Sequence, residues 1–407
     1  VSKCLLICPE PLGHGRPAGI GIRFIEFARA LGRDGHLVVL LSPDGGAPEG
    51  SSGQRMTPGT IAAQSERCDV VIVQGHATND YLAHGMDKPM VVDLYDPFVV
   101  ENFHYFRDQG PAIFANDHAT LTRSIARGDF FLCASSAQRL FFLGFMLACG
   151  RLNPESYAAD ESLQNLLAIV PFGVQAPRPP STRAAGRRLL FGGIYDWYDP
   201  ILAIEAVRLA NRHLPGITVT FTEHPNPETT PQGVAAATLA RSAMTDVKEL
   251  VRFEPWFRYE NLGEFFDRFD AALLTFGSSL ETDLSMRTRI FDFLWGSLPI
   301  ITSSAPGTDA ILERYHAGVV VPSQDPEEIA DAVVSVLTDP EKQSRLRQGA
   351  RLFTADHQWD TLLEPLLRFC RDPHPEPTKE RFTHDISIPR QRTSPIQRLR
   401  KRIGARR

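Results

Sequence analysis

Two arginines two positions apart close a polar run, Ser278-Ser-Leu-Glu281-Thr-Asp283-Leu-Ser285-Met-Arg287-Thr-Arg289, that leads into the apolar stretch Ile290 to Trp295. A helix start that carries guanidinium groups suits a diphosphate, because Arg grips phosphate oxygens in pairs and the helix dipole adds positive potential there. Lysine is scarce: the chain has six, and none lies between positions 89 and 247. A phosphate held by the middle of the chain must rely on Arg, backbone amides or helix ends.

Two glycine-rich turns add to this. Gly13-His-Gly15-Arg-Pro-Ala-Gly19-Ile-Gly21-Ile-Arg23 follows an apolar strand and opens a helix, where unpaired N–H groups face any anion. Its glycine spacing is one residue longer than the dinucleotide fingerprint, which argues against NAD. Phe191-Gly-Gly193-Ile-Tyr195-Asp196-Trp197-Tyr-Asp199-Pro200 repeats the strand, glycine, helix pattern. Asp199 reads as the helix cap, with Pro200 at the first position. Tyr195, Asp196 and Trp197 are then surplus to structure, at the carboxyl end of a strand, where open α/β sheets bind ligands. In Val91-Val-Asp93-Leu-Tyr95-Asp96, Asp96 either faces a ligand or caps a helix that begins at Pro97.

The elements that must position these groups come in two series. Strand-length apolar runs alternate with amphipathic helix-length stretches through Leu5–Cys8, Leu37–Leu41, Val70–Val73, Met90–Leu94 and Phe130–Cys133. After the Pro- and Gly-dense segment Pro171–Pro180 the alternation restarts with Leu189–Phe191, Thr218–Thr222, Val251–Phe253, Ala271–Leu274, Ile300–Thr302 and Val319–Val321. Such alternation means parallel βαβ units, so the expected fold is α/β, with two Rossmann-like domains. The expected divisions are 1–173, an acceptor-side domain; 174–355, a nucleotide-sugar-binding domain; 356–372, a helix packing back on the first domain; and 373–407, a basic tail.

At this point the chain resembles the GT-B glycosyltransferases, and among them the retaining family-four branch. The resemblance rests on the two Rossmann-like domains, the glycine turns, Pro171-Phe-Gly173, His224-Pro-Asn-Pro227, Phe253-Glu-Pro-Trp256, and Asp292 seven positions before the Pro of Gly296-Ser-Leu-Pro299. It implies an interdomain cleft, a nucleotide-sugar co-substrate with no other cofactor, and retention of configuration. It also implies a donor site formed by Gly19, Arg23, Gly193, Tyr195, Asp196, Trp197, His224 and Ser285, with Trp256 beside the nucleobase. Glu281 or Asp283 would meet sugar hydroxyls and Asp292 the ribose, since carboxylates accept hydroxyl bonds well. Arg287 and Arg289 would neutralise the departing diphosphate, and Asp96 would stand at the reacting face. The first acidic position of the family is Leu284 here, and the usual phosphate-binding Lys is missing.

Composition bounds the alternatives. With 407 residues, 43% hydrophobic and 22% charged, the chain is globular. No run approaches the roughly 20 apolar residues of a membrane helix, and Val1 to Cys8 reads as a strand rather than a leader. Six scattered cysteines without a C-x-x-C pair suggest buried thiols in a reducing cytoplasm. No Asp-x-Asp at a strand end or His-carboxylate cluster marks a metal site, and the basic residues are not interleaved with aromatics as nucleic-acid binding requires. The tail, with nine basic residues against Asp385 between 381 and 407, offers 394–407 to an anionic membrane surface. That address would suit a lipid-linked or cell-envelope glycan acceptor. Competing expectations are a nucleotide-sugar epimerase and a non-catalytic nucleotide-sugar-binding partner subunit.

Overall fold

The structure is a computed structural model that describes residues 1–379, apart from 16, 86, 107–109, 180–185 and 224–232. Its strands form two parallel sheets. The first contains β1 (Lys3–Ile7), β2 (Leu37–Ser42), β3 (Ser52–Arg55), β4 (Val70–Gln74), β5 (Met90–Asp93), β6 (Phe130–Cys133) and β7 (Leu167–Ile169), in the order β3-β2-β1-β4-β5-β6-β7. The second contains β8 (Arg188–Gly193), β9 (Thr218–Thr222), β10 (Val251–Glu254), β11 (Ala271–Leu274), β12 (Ile300–Ser303) and β13 (Gly318–Val321), in the order β10-β9-β8-β11-β12-β13. Helices cover both faces, which is why β4 and β11 are buried along their whole length.

Each order reverses direction once, at β1 between β2 and β4 and at β8 between β9 and β11. Helices leave such a strand and its neighbour toward opposite faces of the sheet, so a crevice opens at the carboxyl ends. The two glycine turns follow β1 and β8, so both lie at switch points. After β8, Asp199 caps helix Pro200–His213 by accepting from Leu202 N at 2.9 Å, with Pro200 in the first turn.

The C-terminal helix departs from expectation in one detail. Residues 359–371 form two short helices, Trp359–Leu362 and Glu364–Arg371, because Pro365 cannot donate to the preceding turn and starts the second. They pack on the first domain: Ser2 Oγ donates to Cys370 O at 2.6 Å, and Phe369 stacks on Phe130 at 4.9 Å. The segment after Asp372, read from sequence as the start of a basic tail, is pinned as far as Lys379. Arg151 pairs with Glu376 at 2.5 Å and Lys379 with Asp129 at 2.7 Å, while Asn153 Nδ2 donates to Thr378 Oγ1 at 3.1 Å. The six cysteines are buried free thiols. No described helix is long and apolar enough to cross a membrane. The stretch 394–407 and His224 lie outside the described residues.

Candidate functional site

A cavity of about 440 Å³ lies between the two sheets and is lined from both. The first-domain wall carries Glu10, Gly19, Tyr95, Asp96, Glu101 and Tyr105; the second-domain wall carries Gly193, Tyr195, Trp197, Trp256, Ser285, Arg289 and Asp292. Most of the residues singled out from sequence thus converge on one place, though several groups behave differently from expectation.

Arg289 is the guanidinium that turns to the cleft. It lies across the glycine turn after β8, where Gly192 has φ +87° and a Cβ would come within 2.9 Å of Arg289 Nε. The two glycines permit both the left-handed backbone and the close approach. Arg289 Nη1 donates to Phe191 O at 3.2 Å, and the guanidinium sits 4.7 Å from the Tyr198 ring centre and 5.5 Å from that of Tyr195. It makes no ion pair among the described residues. Asp292, one helical turn further on, is pushed up to about 7 by burial, with Arg289 pulling the other way.

Arg287 also lines the cavity, but its guanidinium is spent on another residue. It is 2% exposed and grips Glu281 with both ends, Nη1 to Oε1 at 2.6 Å and Nη2 to Oε2 at 2.7 Å, with Nη2 also donating to Thr282 Oγ1 at 3.0 Å. Its expected place on a diphosphate and the expected place of Glu281 on sugar hydroxyls are both corrected by this pair, which leaves only Arg287 Nε without a partner. Asp283 points away, exposed and outside the cavity lining. Asp196 likewise lies outside the lining, where it accepts from Val234 N at 3.2 Å at the start of helix Gly233–Ser242.

The first glycine turn holds a second correction. Arg23 does not reach the cleft: it is fully buried, bidentate to Asp93 at 2.6 and 3.0 Å, and donates to Val170 O and Pro171 O where the chain leaves the first sheet. The start of helix Gly19–Arg33 is not open to an anion either. Glu10 fills it, accepting from Ala18 N and, at 2.7 Å, from Gly21 N. Burial pushes the Glu10 carboxyl up to about 7 against the pull of those two N–H groups. At Gly19 a Cβ would stand 2.5 Å from the Tyr95 hydroxyl, so glycine there keeps the wall open.

Aromatic rings floor the second domain. Tyr195 stacks on Trp197 at 5.0 Å, and Trp256 on Phe257 at 5.1 Å. A Cβ on Gly193 would meet the Trp256 ring at 2.6 Å, so the glycine lets the indole lie flat on the backbone. Flat aromatic faces beside hydroxyl and phosphate partners suit a base or a sugar ring.

Asp96 lines the cavity and caps no helix: the short helix Phe98–Glu101 has Pro97 at its cap position without a side-chain bond. Its neighbour is Glu101, a residue that the sequence reading missed. Ser285 Oγ reaches from the opposite domain to donate to Glu101 Oε1 at 3.0 Å. Glu10 and Tyr105 were also missed, since Glu10 sits in a loop and Tyr105 in the short helix Asn102–Tyr105, and each acquires its neighbours through the fold.

Residues 296–353 match the family described as Glycosyl transferases group 1. No curated protein matches the chain by sequence. Among solved structures the chain is similar to HepE from Anabaena in complex with UDP-glucose, with a TM-score of 0.65 at 13% identity over 91% of this chain and 100% of that one. It is also similar to WaaG, a glycosyltransferase involved in lipopolysaccharide biosynthesis, with a TM-score of 0.60 at 13% identity, covering 91% and 100%. A third is the sucrose-phosphate synthase of Thermosynechococcus elongatus, with a TM-score of 0.61 at 13% identity, covering 91% and 98%. At these identities the likeness shows the fold: two Rossmann-like domains facing each other across a cleft, the GT-B arrangement of the glycosyltransferases.

Proposed function

We propose that the chain is a glycosyltransferase that moves a sugar from a nucleotide-sugar donor to a hydroxyl-bearing acceptor, a lipid-linked or cell-envelope glycan, with retention of configuration. The observation that carries the reading is Arg289. It is a cleft-facing guanidinium outside any ion pair among the described residues, beside the start of helix Thr288–Trp295 and next to stacked aromatic faces. Stabilising the charge on a departing diphosphate is the largest electrostatic contribution such a site can make. The group 1 match over residues 296–353 and a fold shared with a UDP-glucose complex support the same donor class.

Within this reading the donor lies on the second domain. Trp256 stacks on the base, Asp292 accepts ribose hydroxyl bonds, and Arg289 with the helix start takes the diphosphate. Asp96 faces the reacting centre from the first domain. Arg and backbone dipoles do the neutralising, so transfer is expected to persist in EDTA; complete loss on chelation with recovery on adding Mg²⁺ or Mn²⁺ would contradict this. The protein is placed in the cytoplasm, resting on the inner face of the membrane through 394–407. Anomeric ¹H NMR of product formed from a UDP-, GDP- or dTDP-sugar tests the activity. Transfer with the donor's anomeric configuration is expected; isomerised sugar nucleotide without any acceptor would favour an epimerase instead.

A further inference from the structure

Asp96 and Glu101 stand on the first-domain wall with their carboxyl groups in contact, and the role assigned to them below rests on the glycosyl-transfer reading. Gln74 Nε2 donates to Asp96 Oδ2 at 3.5 Å, and Ser285 Oγ donates to Glu101 Oε1 at 3.0 Å. Asp96 Oδ1 is buried and has no hydrogen-bond partner. A buried acceptor left over on a cavity wall costs stability unless something donates to it.

Among the described residues no cation forms an ion pair with these two carboxyl groups. Arg23 is consumed by Asp93 and Arg287 by Glu281, each in a bidentate contact. The other ionisable groups that face the pair are the phenols of Tyr95, Tyr105 and Tyr195, the carboxylates of Asp93 and Glu281, and the guanidinium of Arg287 behind its pair with Glu281. Two carboxylates in so dry a contact cannot both be charged, and burial accordingly raises both, Glu101 well above the ordinary range.

We propose that Asp96 and Glu101 share one proton and form the acceptor site of the cleft, in which Asp96 receives a hydroxyl of a neutral acceptor and Glu101 is the positioning residue that holds Asp96 in place. The Asp96 oxygen that Glu101 does not hold is the atom that accepts the hydroxyl. The Ser285 bond ties Glu101 to the donor-side domain, so the pair is set only when the two domains face each other. A pair with one net negative charge and no cation in an ion pair with it receives neutral sugars and polyols and repels acceptors that bring a phosphate to the reacting position.

The test compares wild type, Glu101→Gln and Asp96→Asn. The first readout is the melting temperature from pH 5 to 9 without ligand. A carboxyl group whose folded pKa is raised stabilises the fold below its unfolded pKa and loses that contribution as pH rises through the folded value. In E101Q the new amide donates a hydrogen to Asp96 and has no charge to lose, so its melting temperature relative to wild type should climb with pH; a constant difference overturns the shared proton. The second readout is nucleoside diphosphate release from whichever of UDP-, GDP- or dTDP-glucose binds best, with water alone, glycerol or glycerol 3-phosphate as acceptor. Glycerol should raise release and glycerol 3-phosphate should not. The basic limb of the pH profile, where the wild-type pair loses its shared proton, should disappear in E101Q, because the amide has no proton to give up. D96N should lose at least tenfold in kcat with donor affinity held within twofold. An unchanged E101Q profile, or equal responses to the two acceptors, overturns the assignment. A wild type that binds no nucleotide sugar sinks the transfer reading instead, and the melting curves still judge the pair.

Discussion

At the start of helix Gly19–Arg33 the backbone N–H groups meet Glu10, a carboxylate of the chain itself. At the start of helix Thr288–Trp295 the chain places two guanidinium groups, of which Arg287 is consumed by Glu281 and Arg289 turns to the cleft. Both starts follow the pattern expected of an anion site, yet one is closed with internal charge and the other is open. Which end of a cleft takes a diphosphate is decided by the charges left after the internal pairs are made, so under the proposed transfer the donor is expected on the second domain.

The contrast between the two arginines breaks most visibly at Arg287. Removing one partner of a buried bidentate pair leaves a carboxylate in a dry site, so Arg287→Ala should cost about 3–5 kcal/mol of folding stability by denaturant titration. Replacing both partners, as Arg287→Met with Glu281→Leu, should restore most of it. Equal tolerance of R287A and R289A would show that the pair is not structural. Arg289→Ala should do the opposite, lowering donor affinity by about 2 kcal/mol or more, roughly thirtyfold, because a diphosphate then loses its charged partner. Its stability should move by less than about 1 kcal/mol, the scale of its contact with Tyr198.

Smaller effects sharpen the contrast through pH. Asp292 titrates at about 7, so its charged form, the better acceptor for ribose hydroxyls, is lost as pH falls through that value. Donor affinity should drop by up to about tenfold between pH 7 and 6, and Asp292→Asn should flatten that dependence in calorimetry. Glu10 is raised to about 7 as well, so its contribution to stability is complete below the ordinary carboxyl range and fades as pH rises through 7. Glu10→Gln should therefore gain on wild type in melting temperature between pH 6 and 8. A difference that shrinks with pH would mean that the carboxylate is stabilised by the helix start.

Much of this was legible in the chain. All six strands of the second sheet were read from the sequence, the central β8, β11 and β12 as apolar runs because strands buried on both faces need apolar side chains. The strand Ser52–Arg55 escaped because an edge strand can be polar, and Leu167–Ile169 because three residues make too short a run. Tyr195 was found through its place after the switch-point strand β8, Arg289 through its place at a helix start, and Trp256 through the family resemblance. The errors share one cause. Arg23 and Arg287 looked available because a local reading cannot see that Asp93, 70 positions away, or Glu281, beyond a helix break, consumes them. Glu101 was missed for the same reason, since its partner Ser285 reaches it from the other domain, 184 positions away.

The central claim is that the cleft binds a nucleotide sugar through Arg289. Thermal unfolding of wild type and R289A against UDP-, GDP- and dTDP-sugars tests it directly, because a ligand at a hundred times its dissociation constant adds about 2.7 kcal/mol. One of these donors should raise the melting temperature of the wild type and leave that of R289A almost unchanged at the same concentration. A donor that stabilises both proteins equally, or no donor that stabilises either, would contradict it.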